Sequence, residues 1–234
     1  MAGRVEGKVC LITGGASGLG RADAIRLAEE GAKVVITDVN DEDGLKLAQE
    51  IGENAIFLKH DVSNEEEWKA VIKTTLDTFG KLNVVVNNAG IVIVATPEET
   101  TTEQWRMANS IMNDGVYFGI KYGIDAIKKS GEPGSIINMA STAAHLGYPV
   151  FFAYAACKGA VRSMTKSAAV HCQFMKYGIR VNSVHPGAID TPMIKKAASE
   201  QSAPPPEPDP NAPPGPGVGE PVERVAAVGG LRVL

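Results

Sequence analysis

Six short runs rich in valine and isoleucine, at residues 9–12, 33–37, 55–59, 84–87, 135–139 and 180–185, alternate along the chain with longer stretches of helical periodicity. Runs this apolar suit strands buried on both sheet faces, as parallel strands are. Strand then helix, repeated, implies right-handed βαβ crossovers. The expected fold class is therefore α/β, a doubly wound parallel sheet flanked by helices in a single domain. The first helix is predicted over residues 18–30, with Ala22, Ile25, Leu27 and Ala28 as its apolar stripe. The next two open on Asp41-Glu42-Asp43 and Glu65-Glu66-Glu67, acidic first turns that suit the positive end of the helix dipole. Thr100 and Glu103 fit a capping box for a fourth.

Charge and cysteine usage narrow the partners. The chain carries 23 basic against 27 acidic residues, a formal charge of −4, with no basic run to attract nucleic acid or an anionic membrane. A small molecule or another copy of the chain is the expected partner. Cys10, Cys157 and Cys172 are odd in number, widely spaced and lack a CxxC pattern, which fits reduced thiols better than a disulfide framework or a zinc site. His60, His171 and His185 show no metal-ligand spacing, so no metal is expected. The apolar run at 9–12 is too short for a signal-peptide core, and nothing later approaches a membrane span; the expected location is the cytoplasm. Of 14 prolines, nine fall between Pro204 and Pro221. This composition cannot bury much apolar surface, so the chain divides into a domain at residues 1–198 and a Pro/Gly-rich tail at 199–234, expected to be extended or poorly ordered.

Directly after the first run stands Thr13-Gly14-Gly15-Ala16-Ser17-Gly18-Leu19-Gly20, opening into the first helix. Gly14 allows a tight bend, Gly18 removes a side chain where a pyrophosphate must approach, and Gly20 lets helix and sheet pack closely. Alone, such a loop is a weak signal. Asp38 strengthens it, lying at the end of the second run and eighteen residues beyond Gly20, where a carboxylate can accept from both adenosine ribose hydroxyls and repel a 2′-phosphate. Ser17 and Val39 stand where an NADP site would favour a basic residue, so NAD is the expected cofactor. Without the glycine loop, Asp38 would read as an ordinary strand-end or helix-capping aspartate.

Tyr154 and Lys158 are four residues apart, hence on one helix face, and nearby positive charge favours the phenolate, which predicts a lowered tyrosine pKa. Ser141 follows the fifth run, where a hydroxyl faces the crevice at the carboxyl ends of parallel strands.

Taken with Asn87-Asn88-Ala89-Gly90 and with Pro186-Gly187 followed by Ile189 and Thr191, these motifs closely resemble the short-chain dehydrogenase/reductase family from about residue 7 to residue 193. The resemblance implies a Rossmann-like fold and a hydride exchange between NAD(H) and a secondary alcohol or ketone. It implies Tyr154 as general acid/base, Ser141 as the group orienting the substrate oxygen, and Lys158 as holder of the nicotinamide ribose. It also implies cofactor contacts at Gly14, Ser17, Gly18, Leu19, Gly20, Asp38, Asp61, Val62, Asn88, Gly90, Ile189 and Thr191, and a homo-oligomer, dimer or tetramer, built on helices around residues 102–128 and 152–177. Apolar residues at 143–152 and 91–94 suit a neutral, cyclic substrate.

Two departures stand out. Many family members carry a relay asparagine seven residues beyond the tryptophan of the fourth helix; here that position is Met112, and a one-residue helix bulge would be needed to bring Asn113 into the role. The family's closing strand has no convincing counterpart before Leu234, leaving as the alternative a catalytically impaired NAD(H)-binding protein.

Overall fold

The computed structural model describes residues 3–200. Its strands are β1 (Val9–Thr13), β2 (Lys33–Asp38), β3 (Ala55–Lys59), β4 (Val84–Asn87), β5 (Gly134–Met139) and β6 (Ile179–Val184), all parallel, in the order β3-β2-β1-β4-β5-β6. The crossovers run through α1 (Gly18–Glu29), α2 (Asp41–Ile51), α3 (Glu65–Phe79), α4 (Thr102–Asn109) continuing into α5 (Gly115–Lys129), and α6 (Phe152–Phe174). A last helix, α7, covers Pro192–Glu200. The strand order reverses between β1 and β4, which opens a crevice at the carboxyl ends of the strands.

The strand period of two sorts the core. Val9 and Leu11 of β1 point to one face, where Trp68 and Val71 of α3, Ile127 of α5 and Cys172 of α6 cover them. Cys10 and Ile12 point to the other, against Ala24 of α1 and Leu47 of α2. Both faces are apolar because both are buried, as the continuous valine-rich runs require.

The acidic turns begin α2 and α3 as expected, each capped by an asparagine: Asn40 Oδ1 accepts from Asp43 N, and Asn64 Oδ1 from Glu66 N and Glu67 N. Three local expectations shift. In α1 the buried positions are Gly20, Asp23 and Ala24, one turn of a single face, and Ile25, Leu27 and Ala28 flank it and are partly buried. The capping box belongs to Thr101 and Gln104, since the Thr100 hydroxyl instead donates to Thr96 O at 2.7 Å. Ser199 and Glu200 continue α7 rather than starting an extended tail, because residues 192–200 present an amphipathic helix with Ala197 buried. Residues 201–234, where the remaining tail and the closing-strand question fall, lie outside the described residues. Among the described residues no helix is long and apolar enough to cross a membrane.

Candidate active site

A cavity of about 280 Å³ occupies the crevice beyond β1 and β4. Gly14, Ser17, Gly18, Leu19, Asp38, Asp61, Val62, Asn88, Gly90 and Thr191 line it, ten side by side from segments far apart in sequence. Gly14 has φ +62°, and a Cβ there would sit 2.8 Å from Ala89 Cα. A Cβ on Gly20 would meet Gly14 O at 2.3 Å, so the loop and α1 close on each other only with glycine at both points. Ser17 caps α1 without a side-chain hydrogen bond, leaving the first turn's N–H groups to face the cavity. This cradle fits a dinucleotide: glycine allows close approach, the helix end favours a pyrophosphate, and a carboxylate stands at the far side.

That carboxylate is Asp38. Its Oδ2 accepts from Ala16 N at 3.1 Å and its Oδ1 from Asn40 N at 3.0 Å. It ties the glycine loop to the end of β2, while capping of α2 falls to Asn40. One lone pair on each oxygen remains for a ligand. Asn88 stitches the opposite wall, its Nδ2 donating to Thr13 O and Gly14 O, both at 2.9 Å. Asp61 Oδ1 accepts from Ser63 N at 2.9 Å and from Ser63 Oγ at 2.7 Å, and Trp68 Nε1 donates to Val62 O at 2.9 Å. Sequence reasoning missed His60, Ile111, Pro192 and Met193 in the lining. His60 is buried, bonded through Nδ1 to Thr37 Oγ1 at 3.0 Å and packed edge-on to Trp68 at 4.6 Å; burial pushes its pKa down to about 4. Its place directly before Asp61 is the signal that could have found it.

Gly90 joins this cleft to the second group of candidates. A Cβ on it would lie 3.6 Å from both Lys158 Nζ and Met112 Sδ. Lys158, 5% exposed, donates to Met139 O at 2.6 Å, and its Nζ lies 5.5 Å from the centroid of the Tyr154 ring. Burial pulls the lysine down to about 8. Ser141 Oγ accepts from Ala143 N at 3.1 Å, and its hydroxyl, close to the Tyr154 phenol, acts to lower the tyrosine pKa. One expectation is overturned here. Burial raises the Tyr154 pKa, outweighing the lowering effect of Ser141, so the group is a neutral phenol at neutral pH. Lysine at helical spacing is close enough to matter, but its own desolvation weakens its charge and its proton is directed at Met139 O.

Ile189, Gly20 and Lys158 are buried and lie outside the cavity lining, and Tyr154, partly buried, lies outside it too. Cys157 is fully buried beside Met112 and Ala153, its thiol pushed up to about 11, which agrees with a packing role. The anticipated bulge exists: Ser110–Asp114 forms a π-helical turn between α4 and α5. Asn113 makes no direct side-chain hydrogen bond to Lys158. Its Nδ2 donates to Asn109 Oδ1 at 2.7 Å and its Oδ1 is buried with no hydrogen-bond partner among the described residues, while Met112 packs by Gly90. On the outer side Trp105 of α4 lies 5.9 Å from Phe152, and Tyr148, Phe151 and Tyr154 follow at ring spacings of 5.9 and 6.2 Å.

Residues 8–202 match the sequence profile of the short chain dehydrogenase family. The chain is similar to an NADP-dependent (R)-specific alcohol dehydrogenase of Lentilactobacillus kefiri, 47% identical over 83% of this chain and 78% of that protein. It is 44% identical to a 3-beta-hydroxysteroid dehydrogenase of Comamonas testosteroni, over 83% of this chain and 76% of the other. Among solved structures, a 3-ketoacyl-(acyl-carrier-protein) reductase from Brucella melitensis complexed with NADH superposes with a TM-score of 0.85 at 33% identity, covering 97% of this chain and 91% of that one. A glycine-rich loop, a Tyr-Lys helix face and a serine at one crevice, on a chain with these relatives, have a single common explanation: the chain belongs to the short chain dehydrogenase family, oxidoreductases of alcohols and ketones that use a nicotinamide cofactor.

Proposed function

We propose that the protein is an NAD(H)-dependent dehydrogenase of apolar, cyclic secondary alcohols and the corresponding ketones. The convergence of Ser141, Tyr154 and Lys158 beside the glycine-lined cleft carries this reading. A nicotinamide cofactor, when bound, would supply or accept the hydride at the carbon that bears the oxygen. Tyr154 Oη donates its proton to a ketone oxygen, or takes the proton of an alcohol, and Ser141 Oγ holds that oxygen in line. Lys158 would hold the nicotinamide ribose hydroxyls and supply positive charge near the phenol. Gly14, Ser17, Gly18, Leu19 and Gly20 take the pyrophosphate, Asp61, Val62, Asn88 and Gly90 the adenine and inner cleft, and Ile189 and Thr191 the carboxamide end.

NAD rather than NADP follows from Asp38. Its two oxygens, each with a lone pair free, face the cleft where a ribose 2′-hydroxyl would donate and a 2′-phosphate would be repelled, and Val39 beside it is an exposed neutral residue. The NADP dependence named for the Lentilactobacillus relative makes this the sharpest point of the reading. The aromatic wall from Tyr148 to Tyr154 supports an apolar substrate. Exposed Tyr117, Val170 and Phe174 on α5 and α6 support a homo-oligomer built on those helices, which light scattering tests.

The deciding experiment is Tyr154→Phe. Turnover of cyclohexanol or a steroid alcohol is expected to fall by about a thousandfold or more, with NADH affinity, read by fluorescence, nearly intact. Full turnover in the variant overturns the reading. Binding of NADH with no turnover by the unaltered protein on any alcohol of the panel would favour a binding protein instead.

A further inference from the structure

Behind Ser141 lies a hydrogen-bonded cluster that the reading above does not use. His185 follows β6 directly. Its Nδ1 lies 3.1 Å from the main-chain oxygen of Ser141 and 3.1 Å from Nε2 of His145, and its Nε2 lies 2.9 Å from Ser183 Oγ. The proton positions follow from the one partner that can only accept. A carbonyl oxygen has no proton to give, so His185 Nδ1 carries one and donates it. His185 Nε2 then accepts from the Ser183 hydroxyl, and His145 Nε2 presents a lone pair to the shared proton. The two rings pack 4.6 Å apart. Thr142 N donates to Pro186 O at 3.0 Å, so the loop after β5 is clasped to the loop after β6 at two points, both on the peptide group that joins Ser141 to Thr142.

We propose that His185 is a positioning residue that fixes the Ser141 main chain for the reaction, and that its contact with His145 makes this clasp open when His145 takes up a proton. The proposal rests on the catalytic reading of Ser141 and Tyr154. A protonated His145 carries hydrogens on both nitrogens, so two N–H donors then face each other across 3.1 Å and the rings must part. The groups facing His145 are His185 from the β6 loop and Arg162 and Lys166 from α6; burial first, and then these cations, hold its pKa below the ordinary imidazole value. The clasp is therefore closed at neutral pH and opens on the acid side of the imidazole range.

Ketone reduction at saturating NADH isolates this effect, because Tyr154 stays protonated throughout the acid range. The kcat of the unaltered protein is expected to decline on the acid side of the ordinary imidazole range. His145→Gln, whose amide reaches the Nε2 position without titrating, is expected to remove that decline. His185→Ala is expected to lower kcat about tenfold at neutral pH, with NADH affinity unchanged, for the loss of the partly buried hydrogen bond to Ser141 O. His185→Asn, whose amide nitrogen reaches the Nδ1 position, is expected to recover kcat to within about threefold. Persistence of the acid decline in His145→Gln, or unaltered turnover in His185→Ala, overturns the proposal. If His185→Ala fails to fold, the pH profile of His145→Gln and the turnover of His185→Asn decide it. An active Tyr154→Phe sinks the catalytic reading itself, whereas an inactive one beside an unchanged acid decline in His145→Gln sinks only the clasp.

Discussion

The β1–β3 side of the sheet and the β5–β6 side meet the same crevice by different means. The first offers main chain: glycines where a Cβ would collide, the open N-terminus of α1, and one carboxylate anchored by two backbone N–H groups. The second offers side chains whose proton affinities are set by burial, Tyr154 driven up and Lys158 driven down to about 8. Recognition of a charged ligand tolerates solvent, so its groups stay near the surface. Proton transfer needs groups removed from water, and removal costs stability.

Lys158 exposes this difference most sharply. A buried lysine lowered from 10.5 to about 8 carries a folding penalty on the order of 3 kcal/mol at neutral pH. The penalty is relieved as pH rises from about 8 toward the unfolded value, because the unfolded chain then binds more protons than the folded one. Lys158→Met is therefore expected to cut kcat by about a thousandfold and yet to raise the melting temperature. A less stable, inactive variant would mean that the bond to Met139 O outweighs the buried charge. On the other side, Asp38→Ala should weaken NAD binding by between about tenfold and a hundredfold while changing NADP binding much less, as titration of both cofactors would show. Equal losses for the two would erase the proposed distinction between them. The pH dependence of alcohol oxidation comes next. With its pKa raised, Tyr154 is scarcely ionised at pH 7, and the rate is expected to climb toward pH 9 by up to about tenfold per pH unit, followed as initial rates. The smallest effect belongs to Asn113→Ala. Its amide bonds Asn109 and not Lys158, so kcat should stay within about twofold.

The two sides also differ in how much could be read from the sequence. Strands and glycine loop follow from local rules, a period of two and a run of small residues, and β3 and β4 fall where the valine-rich runs place them. Thr101 caps α4 by accepting from Gln104 N while the Thr100 hydroxyl donates to Thr96 O, a choice between adjacent hydroxyls that spacing does not resolve. The spacing of Tyr154 and Lys158 gave their proximity correctly and their electrostatics wrongly, since four residues on a helix say nothing of what lies over them. His145 and His185 are 40 residues apart, and only the pairing of β5 with β6 brings their rings together. Ile111 reaches the cleft because the π turn of Ser110–Asp114 resets the helix phase, which no apolar pattern announced.

The two tryptophans divide along the same line. Trp68 is wholly buried against His60, a cleft-lining residue on the cofactor side, while Trp105, 38% exposed, faces Phe152 beside the aromatic wall. The molecule thus carries two native fluorophores, one shielded from a soluble quencher and one open to it. Iodide should silence Trp105 alone, so that each side of the crevice reports its own ligand in a separate optical channel without any label.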